Sequence, residues 1–165
     1  MKIEKILLIS DTHGDTSLLE NEILPKYANE VQLVIHLGDF AYDLLDMQKN
    51  YPNLPMVGVD GAFEMKEKAE RIITVGGDVK RRILLLHGHT VNVKFGLERI
   101  VYHAQEREVD ACFFGHTHVE TQFTKNGIFF MNPGSLTEPR GAAHGSFGLV
   151  TISSEGEFTG KAIKV

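Results

Sequence analysis

Aspartates and histidines gather at four places in this sequence: Asp11-Thr12-His13, Gly38-Asp39, His87-Gly88-His89 and Gly115-His116-Thr117-His118. A third acid, Asp60, follows the short apolar run 56–59. An acid and a histidine two residues apart can turn to one side of a loop and chelate. Nitrogen and oxygen donors without a thiolate suit a borderline or hard divalent cation, manganese first, with iron, zinc or nickel as alternatives. Seven candidate ligands (Asp11, His13, Asp39, Asp60, His87, His116 and His118) exceed what one tetrahedral ion needs. Two ions sharing Asp39 would each receive about four, at the roughly 3.5–4 Å separation of two-metal sites.

Taken singly, each residue has a plainer reading as a turn former, a helix cap or a surface histidine. The set carries the inference. His36, inside the apolar run Leu33–Leu37, reads as a core residue or a support to the ligands, and Cys112 as core. His103 falls on a helical stretch with no assigned role. His89 is assigned to substrate contact or to orienting the site, while Arg140 and His144 read more simply as solvated loop residues.

Something must bring these groups together. Lys5–Ser10, Leu33–Leu37, Met56–Val59, Lys80–Leu86 and Ala111–Phe114 read as buried strands, and each is followed closely by candidate ligands. In open α/β sheets, the carboxyl ends of strands line the ligand crevice. Helices are expected near Leu18–Ile23, capped by Asp15, Thr16 or Ser17, over Leu44–Gln48, and over Leu97–Ala104. Gly76-Gly77-Asp78, Asn126-Gly127 and Glu155-Gly156 mark hairpins. The first half therefore alternates strand and helix, the second is rich in hairpins, and one mixed α/β domain spanning 1–165 is expected.

Composition is that of an ordinary globular protein, with 42% hydrophobic and 24% charged residues. A net charge of −5 without a basic stripe argues against long nucleic acid as a partner and leaves small phosphate substrates open. No apolar run approaches the roughly 20 residues of a membrane span. One cysteine and no signal-like N-terminus point to the cytoplasm.

The order Asp11-x-His13, Gly38-Asp39, His87-Gly88-His89 and Gly115-His116-x-His118 resembles the calcineurin-like metallophosphoesterases, in particular the small single-domain prokaryotic phosphodiesterases. Phe95-Gly96-Leu97 and Asn132-Pro133-Gly134-Ser135 are similar to the same proteins. The resemblance implies a four-layer α/β/β/α sandwich with two mixed β-sheets. It implies hydrolysis of a small phosphodiester by a metal-bridging hydroxide, with Asp39 and His116 serving catalysis as well as metal binding. It places Asp11, His13, Asp39 and His118 on one ion, and Asp39, His87 and His116 on the other. A non-catalytic protein-binding scaffold of the same fold is the alternative, and assembly as a homodimer is left open.

The third motif of that family, Gly-Asn followed by His or Cys and an acid, is broken here: the segment reads Val57-Gly58-Val59-Asp60-Gly61-Ala62. Alignment on Val57 and Phe63 puts Asp60 at the asparagine ligand position and Gly61 where some relatives carry a proton-donating histidine. A rival alignment on Gly58 puts Val59 there. Loss of a general acid typically costs about 10²–10⁴ in rate for a poor leaving group.

Overall fold

The computed structural model describes residues 2–39, 44–61, 69–141 and 144–165. Its strands form two five-stranded sheets. The first contains β1 (Lys5–Ile9), β2 (Leu33–His36), β3 (Met56–Gly58), β9 (Ser146–Ile152) and β10 (Phe158–Lys164), in the order β10-β9-β1-β2-β3. The second contains β4 (Glu70–Val75), β5 (Arg81–Leu86), β6 (Ala111–Phe113), β7 (Thr121–Lys125) and β8 (Ile128–Asn132), in the order β4-β5-β6-β8-β7.

Why the central strands read as unbroken apolar runs is now evident: both faces are covered. In β1, Ile6 and Leu8 enter the core between the sheets, and Leu7 and Ile9 pack outward. In β5 the same alternation sends Ile83 and Leu85 inward, Leu84 and Leu86 outward. Phe129 links the sheets, edge-on to Phe113 at 6.3 Å and stacked on Phe158 at 5.6 Å. Outside the first sheet lie a π-turn, Leu19–Ile23, running into α1 (Leu24–Tyr27), and α2 (Leu44–Asn50). Outside the second lies α3 (Glu98–Glu106), which buries Ile100 and Ala104. The result is the expected α/β/β/α sandwich.

Local expectations hold closely. Asp15 Oδ1 accepts from the Ser17 backbone N–H at 3.1 Å, so Asp15 opens the first helical stretch. Asn126 and Gly127 have φ of 53° and 77°, as a type I′ hairpin requires. His103 has a structural partner that the sequence did not reveal. Its Nε2 lies 2.7 Å from Glu70 Oε2, and Arg107 Nη2 lies 2.9 Å from Glu70 Oε1, tying α3 to β4.

Topology in the second half goes beyond hairpins. β5, β6 and β8 are parallel, and β8 inserts between β6 and β7. The segment leaving β6 must therefore step over the end of β8, and it carries His116 and His118 across the sheet's carboxyl edge. Because β1, β2 and β3 are also parallel, their carboxyl ends face the same way as one another.

Candidate metal centre

Asp11 follows β1, Asp39 follows β2, Asp60 follows β3, His87 follows β5, and His116 and His118 follow β6. Asp11, His13, Asp39 and His118 each offer one donor atom, and these atoms lie within 4.8 Å of one another. His87 reaches the same place: its Nε2 is 3.6 Å from Asp11 Oδ1, 3.5 Å from Asp39 Oδ2 and 3.0 Å from His116 Nδ1. His89 stands beside them, its ring 5.5 Å from that of His87 and 6.1 Å from that of His116.

The backbone is held in an unusual state to achieve this. Asp11, His13, Asp39, His116 and His118 all have positive φ, between 49° and 72°. Asp, Asn and His are the non-glycine residues that tolerate this region best, and such conformations cluster at functional sites. The left-handed turns aim side chains back over the strand ends instead of out along the chain. Ser135 Oγ donates to the Asp11 carbonyl at 2.8 Å, Thr137 Oγ1 to the Thr12 carbonyl at 3.0 Å, and the Asp11 N–H to the Gly38 carbonyl at 3.0 Å. Asn132 Nδ2 donates to the Gly115 carbonyl and to Thr117 Oγ1, both at 3.0 Å.

Second partners also orient the donors. His87 Nδ1 bonds the Leu37 carbonyl at 2.8 Å and His118 Nδ1 the Glu138 carbonyl at 2.6 Å, which turns Nε2 of each ring toward the centre. Asp11 Oδ2 accepts from Ser10 Oγ at 2.6 Å and from the His116 N–H at 3.2 Å. Its Oδ1 is fully buried and accepts no well-formed hydrogen bond among the described residues. A buried carboxylate oxygen costs free energy unless something compensates it. A cation among these oxygen and nitrogen donors is what the arrangement fits.

Electrostatics agree. Burial alone would raise Asp39, but the hydrogen bond and charge of His87 bring it well below the usual carboxylate range. Asp11 is lowered too, with His118 and His87 overcoming its burial. His87 is raised against its own burial by Asp39 and Asp11. His116 goes the other way, to about 4, through burial and the neighbouring His87 charge. His87 and the two carboxylates thus favour one another's charged forms, and a divalent ion would offset the same negative charge.

His36 is buried and outside the cluster: its Nε2 meets Thr12 Oγ1 at 2.9 Å and its Nδ1 accepts from the Gly38 N–H at 3.2 Å. It supports two ligand loops, in keeping with its reading as core. Val59 is fully buried in the core between the sheets, whereas Asp60 is 5% exposed and its charge acts on His89. A Cβ on Gly61 would lie 2.1 Å from Asp39 Oδ1 and 2.2 Å from its backbone nitrogen. The glycine backbone therefore fills the space a proton-donating side chain would need. Ala62, Phe63 and Glu64 lie outside the described residues.

Five contributors escaped sequence reasoning: Ser10, Asn132, Ser135, Thr137 and Glu138. Asn132 and Ser135 had a signal, the Asn-Pro-Gly-Ser string, without a role attached to it. Gly115 has an ordinary φ, but a Cβ there would lie 2.1 Å from Ser10 Oγ.

Residues 5–155 match the sequence model of the calcineurin-like phosphoesterase superfamily domain. The chain belongs to this superfamily. Among members of the calcineurin-like superfamily, it is 33% identical over 153 residues to the probable metallophosphoesterase YsnB of Bacillus subtilis, covering 91% of this chain and 85% of that protein. It is 26% identical over 170 residues to the phosphodiesterase YfcE of Escherichia coli, covering 88% and 86%. The solved structure of vacuolar protein sorting 29 from Cryptosporidium parvum superposes with a TM-score of 0.76 at 20% identity, over 100% of this chain and 99% of that one, a likeness of fold.

Proposed function

We propose that this chain is a phosphodiesterase that works with two divalent cations, manganese being the best candidate. The observation that carries the reading is the cluster of Asp11, His13, Asp39 and His118, four donors from three strand ends gathered within 4.8 Å. Asp39, Asp60, His87 and His116 are assigned to the second ion, with Asp39 shared. Two divalent ions lower the pKa of water and neutralise charge on the phosphoryl oxygens.

The chain's own residues set the terms for that chemistry. Buried Asp11 and Asp39 keep their charge and fix where positive charge collects. The carbonyls of Leu37 and Glu138 hold His87 and His118 in the tautomer that presents Nε2. His89, partly exposed with a buried Nδ1 that makes no hydrogen bond among the described residues, is placed to contact a phosphoryl oxygen or the leaving group. Without a side chain at 61, no proton donor stands where some relatives have one, so the favoured substrates are diesters whose leaving group departs unaided.

Turnover of bis(p-nitrophenyl) phosphate with added manganese, alongside Asp39→Asn and His116→Ala, tests the reading. Metal-dependent hydrolysis lost in both variants is the expected result. The same glycine gives the second reading, a scaffold of this fold, its specific support. Two bound metals without turnover of any diester would establish it.

A further inference from the structure

We propose that Glu138 sets the charge preference of the site, disfavouring dianionic phosphomonoesters and leaving monoanionic phosphodiesters as the substrate class. The proposal rests on the metal-dependent phosphoesterase reading above. Of the four clustered donors, Asp11, Asp39 and His118 have side chains 0%, 3% and 4% exposed, and His13 is 21% exposed. Among these four donors, His13 therefore marks the side of the cluster open to solvent. Glu138 stands there: its Oε2 is 3.6 Å from His13 Nε2, and its side chain is 59% exposed.

The position is fixed from below. The Glu138 N–H donates to Ser135 Oγ at 2.8 Å, and its carbonyl accepts from His118 Nδ1 at 2.6 Å. The carboxylate can change rotamer but its Cα cannot leave the rim. Its nearest opposite charge on the loop is Arg140, exposed and two residues on, whose N–H donates to the His118 carbonyl at 3.0 Å.

A phosphodiester carries one negative charge, whereas a monoester or inorganic phosphate approaches two above a second pKa of about 6. The extra charge meets the Glu138 carboxylate at close range and half-exposed, where repulsion amounts to roughly three- to tenfold in affinity. Neutralising Glu138 leaves Arg140 unopposed, so the gain falls mainly on dianions.

The test is Glu138→Gln, isosteric and neutral, in the full manganese-loaded chain. Inorganic phosphate and dimethyl phosphate are titrated calorimetrically at pH 8, and kcat/KM is measured for p-nitrophenyl phosphate and its bis ester. The expected result is phosphate binding and monoester turnover raised about three- to tenfold, with less than about twofold change for the diesters. Equal changes for both classes, or none, overturn the proposal, as does a parallel loss of both with reduced metal content. Binding decides the matter even if neither ester is turned over, in which case the activity fails and not the charge preference. Absence of phosphate binding in both proteins overturns both.

Discussion

Asp11 shows how much of a metal site is decided by a single carboxylate's two oxygens. Oδ2 is saturated by Ser10 Oγ and the His116 N–H, and Oδ1 is left facing the histidines. On the metal-bound reading, Ser10 would leave one Asp11 oxygen to donate. Ser10→Ala should weaken metal binding about tenfold while leaving the fold intact, because a charge-assisted hydrogen bond of about 1.5–3 kcal/mol is lost. Titration of the apo-protein with manganese, followed by calorimetry, checks it. An unchanged affinity would mean that the His116 N–H suffices. On the two-ion reading proposed above, Asp60→Asn would remove a negative charge from the second site. Its affinity for metal should fall and turnover of diesters by the loaded enzyme should rise, read from metal content and kcat together. No change in either would remove Asp60 from the site.

At the scale of elements, the strand ends are fitted to one another with no slack. Gly115, between β6 and the histidine turn, faces Ser10 at the end of β1. Gly115→Ala should destabilise the protein by about 1–3 kcal/mol, the usual cost of overpacking, and impair metal binding. The second-site variant Ser10→Ala removes the hydroxyl at 2.1 Å but leaves the added Cβ 2.9 Å from Asp11 Oδ2 and 3.1 Å from Ser10 Cβ. The double variant should recover part of the stability but not the metal affinity. Urea denaturation of the four proteins tests this; additive losses would show that the clash lies elsewhere.

For the molecule as a whole, the site stores unfavourable charge that metal and pH both control. An ion bound only by the folded state stabilises it by about 2.7 kcal/mol at a hundredfold excess over Kd. Addition of a chelator should therefore lower Tm by several degrees, and refilling with manganese should restore it. His36 sets a pH limit. Burial lowers its pKa from 6.5 to about 3, so between those values the unfolded chain binds a proton that the folded one refuses. Stability from this group is complete above pH 6.5 and falls with decreasing pH, by about 1.4 kcal/mol per pH unit. The raised pKa of His118, due first to its bond with Asp11, acts in the opposite sense in the metal-free protein and loses its contribution as pH rises. The ring proton resonances of His36 should stay at their neutral positions down to pH 5. Titration near pH 6 would contradict its burial.

The sequence alone determined the strands, the hairpins and the candidate ligands, because each is a local property. Burial on two faces demands apolar runs such as Lys5–Ile9, a type I′ turn demands Asn126-Gly127, and chelation demands acids and histidines where strands stop. The tertiary structure decided how these parts meet. That β8 lies between β6 and β7, that Ser135 holds the Asp11 carbonyl from 124 residues away, and that Glu138 stands beside His13 are consequences of long-range packing with no local trace. The broken third motif shows the division most clearly. Sequence offered both Val59 and Asp60 for one position. Packing sent Val59 into the core, left Asp60 buried at 5% exposure, and pressed Gly61 against Asp39, where no side chain has room.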